Sequence, residues 1–228
     1  MKKLCAAVLA IVCMSGAVSA LDLSVGGIFD YTLVHNFGTG RAFLPFKTDW
    51  VPSTETLRLD KKHTSNMLGV KGFFDAQYAM AQFGCNFVVG ETYYEDMYSN
   101  KKKIFINRYE IENEAVYLNL GVFGKYPFTA AKNAKIYPLI GVDFDFAVFA
   151  KGKYDKDKER ERELSADERK ELNAYWFDVG AGADIYLIKK FFIRPQLLFG
   201  IMMNQKNIYR LPHHGIKFNA EIGAGWKL

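Results

Sequence analysis

Three groups of residues have the types and spacing to do chemistry. In His63-Thr64-Ser65-Asn66 a serine follows a histidine by two positions. That is the nucleophile and general base of acyl transfer, which also needs a third group to orient the imidazole. No acid to match it is evident in the sequence, and a polar stretch of strand is the simpler reading. His213-His214 could be joined by His35 or His63 around a metal ion. Adjacent side chains on an extended chain point apart, however, so the pair chelates poorly and reads as surface histidine. Asp143 and Asp145 share a face, as an acid and base pair of carboxylates would. Lys71, Arg194 and Lys217 offer them ion pairs as the alternative purpose. Cys85 is the only cysteine after residue 20. It can close no internal disulfide and build no cysteine-rich zinc site. The expectation is a protein with no catalytic residues, no metal and no cofactor.

The elements that position these residues follow from period-two alternation, which dominates after residue 21 and marks strands. Leu23, Val25, Phe29, Tyr31 and Leu33 oppose Ser24, Asp30, Thr32 and Asn36. Leu68, Val70 and Phe74 oppose Lys71 and Asp75, and after a tight turn at Asp75-Ala76-Gln77-Tyr78, Ala81, Phe83, Cys85, Phe87 and Val89 oppose Gln82 and Asn86. Val116, Leu118, Leu120 and Val122 make a fourth segment. Ile136, Ile140, Val142, Phe144, Phe146 and Val148 alternate with Gly141, Asp143, Asp145 and Ala147. Phe177, Val179, Ala181, Ala183, Ile185 and Leu187 oppose Asp178 and Asp184, while Ile193, Leu197, Phe199, Ile201 and Met203 oppose Arg194 and Gln196. The last segment sets Ile216, Phe218, Ala220, Ile222, Ala224, Trp226 and Leu228 against Lys217, Asn219, Glu221 and Lys227.

About eight strands joined in sequence are expected, with longer connections at 37–64, 92–112, 151–174 and 204–214. The intervening ones, near 75–78, 124–134 and 188–190, are shorter. Long loops at one end and short turns at the other are the pattern of membrane-spanning barrels. The dense charges of 151–173 read as a solvated loop, with a helical turn near Ser165-Ala166-Asp167-Glu168 that Ser165 could cap.

Alternation alone does not say which face is inside, but glycine does. Gly26, Gly69, Gly84, Gly90, Gly121, Gly141, Gly180, Gly182, Gly200, Gly223 and Gly225 lie on the charged stripe, and only Gly27 and Gly72 on the apolar one. A solvent-facing strand gains nothing from glycine, whereas the cramped lumen of an eight-stranded barrel does. A polar network of Lys71, Asp143, Asp145, Asp178, Asp184, Arg194, Lys217 and Glu221 is therefore expected inside. Phe29, Phe74, Phe87, Leu118, Val142, Phe144, Val179, Phe199 and Ile222 are expected to face lipid, where every backbone group must be paired and only a closed barrel pairs them all. Pro138 and Pro195 sit near the short-turn ends, where a missing donor is best tolerated. Tyr126, Phe128, Tyr137, Tyr175, Trp176, Tyr186, Phe191, Phe192 and Trp226 gather near strand ends, as interfacial girdles do.

The N-terminus reads as a targeting segment. Met1-Lys2-Lys3 precedes the apolar run Leu4 to Met14, too short to span a bilayer, and Val18-Ser19-Ala20 fits a small-x-small cleavage pattern. Residues 1–20 are expected to be a signal peptide cut near Ala20, leaving one domain over 21–228. Losing Lys2 and Lys3 lowers the formal charge from +5 to +3, and the remaining charge is clustered, which is no nucleic-acid footprint. No later stretch reaches 18 consecutive apolar residues, which excludes a helical span.

At Leu120-Gly121-Val122-Phe123-Gly124-Lys125-Tyr126-Pro127-Phe128 and Ile136-Tyr137-Pro138-Leu139-Ile140-Gly141-Val142 the chain resembles small spirochaete (treponemal) outer-membrane proteins. Over 21–228 its architecture resembles the eight-stranded OmpW, OmpX and OmpA barrels. The resemblance implies the bacterial outer membrane, export past periplasmic chaperones, insertion by the outer-membrane assembly machinery and four loops at the cell surface. That machinery reads an alternating last strand, which assigns Ile222, Trp226 and Leu228 to an assembly signal, although leucine stands where an aromatic residue usually does. His63-Thr64-Ser65-Asn66 also resembles the His-x-Ser-Asn motif of lipid A deacylases, but lies early in the chain with Ser65 on the lumen side. The function expected is a small pore or conduit for small solutes, with apolar ones among the candidates. The alternative is a non-conducting structural or adhesin-like barrel whose loops 37–64, 92–112 and 151–174 meet host or matrix ligands. A lipid A-modifying enzyme is the remote third.

Overall fold

The computed structural model describes residues 22–42, 57–99, 102–110, 113–152, 162–204, 206–208 and 211–228. The expected leader and its cleavage point near Ala20 lie outside them. The strands are β1 (Leu23–Ala42), β2 (Leu57–Ala76), β3 (Ala79–Ser99), β4 (Lys102–Glu110), β5 (Asn113–Lys125), β6 (Phe128–Ala131) and β7 (Ala134–Gly152). After β8 (Arg162–Glu163) and helix α1 (Ala166–Glu171) come β9 (Ala174–Tyr186), β10 (Phe191–Met202), β11 (Lys206–Ile208) and β12 (Leu211–Lys227).

Eight of these strands pair antiparallel in the order β1-β2-β3-β5-β7-β9-β10-β12. The ring closes where β12 returns to β1, in register from Ser24↔Lys227 to Phe37↔His214. The chain is thus an antiparallel up-and-down transmembrane β-barrel. The outward stripe is apolar and open, with Phe29 at 50 % and Val70 at 61 % exposure, while the charged stripe is enclosed. That is the inverse of a soluble barrel, and only hydrocarbon rewards it. One interruption lies between β9 and β10. Their ladder skips the step where Asp184 and Ala183 stand opposite Arg194 and Pro195, at a proline with no N–H to give.

The long connections differ from expectation. Much of 37–64 is strand, since β1 and β2 stay paired from Phe37↔Lys62 out to Ala42↔Leu57. In 92–112, β3 and β4 form a hairpin from Thr92↔Glu110 to Ser99↔Lys102, and in 204–214 β11 pairs with the start of β12. The short β6 makes a hairpin with the start of β7, from Phe128↔Ile136 to Ala131↔Ala134, at the end of the connection expected over 124–134. Apolar alternation stops where the chain leaves hydrocarbon, but ladder hydrogen bonds do not need it, so pairing runs on beyond the pattern that revealed it. Within 151–174, β8 pairs with the end of β7 and α1 follows. Its first turn is closed by a capping box, with Glu168 N–H donating to Ser165 Oγ at 3.4 Å and Ser165 N–H donating to the Glu168 carboxylate at 2.8 Å.

The girdle needs a correction. Tyr137, Trp176 and Phe192 are each 1 % exposed and point inward. Parity decides this, because they fall in step with Leu139, Asp178 and Arg194 on the enclosed stripe. Tyr126, Phe128 and Trp226 are exposed outside.

Candidate functional site: the lumen

Facing strands stack their inward side chains into three levels. At the short-turn end, Arg194 lies between two rings, its guanidinium carbon 4.3 Å from the centroid of Phe73 and 4.9 Å from that of Phe192. Arg194 Nε donates to Asp184 Oδ1 at 2.6 Å and Nη2 to Asp184 Oδ2 at 2.9 Å. Nη2 also donates to Asp75 at 2.5 Å. Lys125 Nζ donates to the same Asp75 carboxylate, lies 3.7 Å from Asp184 and sits 4.4 Å from the ring centroid of Tyr137. Tyr137 in turn donates its hydroxyl to Asp184 at 3.0 Å. Ile28, Met80, Phe123, Leu139 and Leu198 fill the rest of this level. Cations seated on aromatic faces and forked onto carboxylates keep their partners without water.

At the middle level Lys71 meets Glu221 at 3.1 Å and Asp30 at 3.4 Å. Gln82 donates to Glu221 at 3.1 Å and to Gln196 at 3.3 Å. Lys217 meets Asp143 at 2.5 Å and Asp178 at 3.2 Å. Asn119 Nδ2 bridges Asp143 and Asp145, at 2.7 and 2.8 Å, and Trp176 Nε1 donates to Asp145 at 2.8 Å. Toward the long-loop end an apolar level of Val34, Met67, Ala174, Trp176 and Met202 closes over these groups. Beyond it Asn36 and His63 Nδ1 are 3.2 Å apart, and His63 Nε2 is 3.4 Å from Glu91.

Glycine makes this density possible. A Cβ on Gly69 would fall on the side chains of Asp30 and Asn86, one on Gly84 on Lys71, and one on Gly200 on Asp178 and Lys217. The stripe noted in the sequence is where the wall comes close enough for facing residues to cross the bore.

Lys71, Asp143, Asp145, Asp178, Asp184, Arg194, Lys217 and Glu221 are all buried in this network. Asp143 pairs with Lys217, but Asp145 has no ion pair among the described residues and is held by Asn119 and Trp176. The sequence reading places Asp30, Asp75, Gln82 and Gln196 on the charged stripe without naming them in the network, and does not name Asn119, Lys125, Tyr137 or Trp176 there. Asn119 alternates with Leu118 and Leu120, and of the eight only Lys125 lies beyond the alternating segments and their immediate ends, so parity is the signal available. Of the residues assigned to lipid, Phe29, Phe74, Phe87, Val179, Phe199 and Ile222 are exposed, while Leu118, Val142 and Phe144 are half-buried on the same face. Phe144 packs on Phe146 and Tyr175. Trp226 and Leu228 are exposed near the short turns.

The groups with chemical potential are dispersed. Ser65 is buried and inward, and both ring nitrogens of His63 are occupied by Asn36 and Glu91. His35 faces outward, with Nδ1 2.8 Å from Thr64 Oγ1, and the His214 ring lies 6.5 Å from that of Phe37, tilted by 43°. No group of three metal-ligating side chains occurs among the described residues. Outside the membrane-spanning segments, the Asp22 carboxyl accepts from Lys227 at 2.7 Å and Lys135 at 3.3 Å. The hydrogen bond from Lys227 chiefly holds it below the ordinary carboxylate range.

No protein-family model matches the chain, and no curated protein matches it. Solved structures do. The outer membrane protein OprG of Pseudomonas aeruginosa is 12 % identical over 92 % of this chain and 96 % of that one, with a TM-score of 0.42. Ail, the attachment invasion locus protein of Yersinia pestis, is 10 % identical over 91 % of this chain and all of that one, at a TM-score of 0.39. The outer membrane protease OmpT of Escherichia coli is 8 % identical over 91 % and 97 %, at 0.47.

Proposed function

We propose that the protein is a non-conducting barrel of the bacterial outer membrane, which anchors paired strand extensions and presents them to soluble or matrix ligands. One observation carries this reading. At every level of the bore the inward side chains are shut off from water, with Asp30, Arg194 and Asp178 at 0 % exposure. A water-filled pore wets its lining, whereas here ion pairs and rings from opposite walls meet across the centre. The small-pore alternative would need these groups to part, and breaking buried pairs costs several kcal/mol each.

The presented elements are the outer parts of β1 and β2, the β3–β4 and β11–β12 hairpins, and α1. Strand pairing gives them a fixed shape at low cost in ordering on contact. Placement in the outer membrane rests on the exposed apolar belt around a closed ring and on the N-terminal leader pattern. Ile222, Trp226 and Leu228 would present the last strand to the assembly machinery. The test is conductance in planar bilayers. The chain should insert and give no discrete channel steps, while stable unitary steps would replace this reading with the pore.

A further inference from the structure

The middle level of the lumen does not balance its charge. Lys71 and Lys217 face five carboxylates, Asp30, Asp143, Asp145, Asp178 and Glu221, all essentially buried. The remaining inward polar groups around them are neutral: Thr32 on β1, Gln82 and Asn86 on β3, Asn119 on β5, Gln196 on β10 and Asn219 on β12. The next titratable groups on one side, Arg194 and Lys125, are engaged by Asp75 and Asp184 one for one. On the other side stand Tyr117 and the His63–Glu91 pair. Three negative charges are therefore left over among the described residues, at the depth of the hydrocarbon, where an uncompensated ion is disfavoured most.

A second observation points to what supplies the missing positive charge. Asp30 Oδ1 and Asn86 Oδ1 are both buried without a hydrogen-bond partner, and both crowd the place a Cβ on Gly69 would take. The two acceptor oxygens both lie against that place, and neither carries a proton to give the other. Asp178 Oδ1 is likewise unpartnered, against Gly200. The space over Gly69, Gly84 and Gly200 is already filled by Asp30, Asn86, Lys71, Asp178 and Lys217, so the charge that fits is one needing almost no volume.

We propose that the middle level of the lumen is a proton-binding site, which keeps hydrogen ions on Asp30, Asp145 and Asp178 in the folded barrel at neutral pH. Asp143 and Glu221 make the closest contacts with Lys217 and Lys71 and stay ionised. Each proton is taken from the surrounding buffer as the barrel closes and forms one O–H bond on a carboxylate oxygen. On Asp30 that O–H donates to Asn86, which turns a contact between two acceptors into a hydrogen bond.

The test uses the chain folded into phospholipid vesicles. Infrared spectra at about pH 7 should contain a carboxylic-acid C=O stretch that persists in deuterated buffer and disappears in the triple variant Asp30→Asn, Asp145→Asn, Asp178→Asn. The urea folding equilibrium is the second readout. The folded state binds more protons than the unfolded one, so folding weakens as pH rises, about tenfold per pH unit for each retained proton. Between about pH 6 and 8 the wild-type slope should exceed that of the triple variant, in which contributions of the histidines cancel. Should the triple variant not fold, Asp145→Asn alone should remove about a third of the acid band and one proton's worth of slope. Absence of the acid band would overturn the proposal, as would equal slopes. Stability that instead tracks sodium or calcium concentration at fixed pH would also overturn it, by identifying a metal ion as the compensating charge.

Discussion

The short-turn level and the middle level of the lumen are both made of buried charge, yet they solve the same electrostatic problem differently. In the first, two cations and two carboxylates close on themselves, and Phe73, Phe192 and Tyr137 supply ring faces that hold the cations where water would. In the second, two lysines are spread over five carboxylates and amides fill the gaps. The lesson is that burial and hydrogen bonding do not by themselves make a charge cluster self-sufficient. The first level balances its charges, although Asp75 Oδ1 is left without a hydrogen-bond partner, while the second sets two lysines against five carboxylates.

Removing a cation from the complete level should have the largest effect. Arg194→Met keeps much of the bulk between Phe73 and Phe192 but strands Asp75 and Asp184 with Lys125 alone. The expected loss is about 3–5 kcal/mol in urea unfolding from lipid vesicles. A loss under about 1 kcal/mol would mean that this level, too, draws on protons or water for its balance.

Next in size is a substitution on the other side of the wall. Phe144 lies on the outward face of β7, between Asp143 and Asp145. Arginine there should cost about 2–4 kcal/mol near the midplane and lower the yield of heat-modifiable, membrane-integrated barrel. If Phe144→Arg folded as readily as wild type, the outward stripe would not be in contact with acyl chains, and the contrast between the two lumen levels would lose its low-dielectric setting.

The sharpest comparison is one isosteric change made twice. Asp184→Asn removes half of the fork that holds Arg194 and should cost about 1–3 kcal/mol. Asp145→Asn takes away a carboxyl that has no ion pair, and its amide oxygen can accept from only one of the two donors, Asn119 Nδ2 and Trp176 Nε1. It should cost less than Asp184→Asn in the same unfolding assay. Equal losses at the two positions would erase the distinction between the levels.

Much of this arrangement is legible in the sequence. The alternation of Ile140, Val142 and Phe144 against Gly141, Asp143 and Asp145 marks a strand with two unlike faces, and the glycines say which face is crowded. Which charges meet was not legible. Lys71 reaches Glu221 across 150 positions of sequence, a contact fixed by the shear between β2 and β12 that no single strand encodes. Tyr137, Trp176 and Phe192 lie near strand ends, as girdle residues do, but their parity is that of the enclosed stripe. The outer hairpins are not legible for a different reason, since the sequence there carries no apolar alternation to read.

The smallest expected effect concerns a pair that needs neither arrangement. Asp22 with Lys227 and Lys135 sits outside the lumen, about one third exposed, so water screens it and the contribution should be under about 1 kcal/mol. Its sign with pH is nevertheless opposite to that expected of the middle level. The two lysines hold the Asp22 carboxyl below its ordinary value of 3.8. Their stabilisation is therefore complete above that value and is lost as pH falls through the lowered one. The middle level, by contrast, should gain as pH falls from about 8 toward 6. Asp22→Asn should flatten only the acid limb of the stability profile and leave the neutral limb as in wild type. A change in the neutral limb would mean that the charge at the barrel's short-turn rim couples to the middle of the bore, and that the levels are not independent.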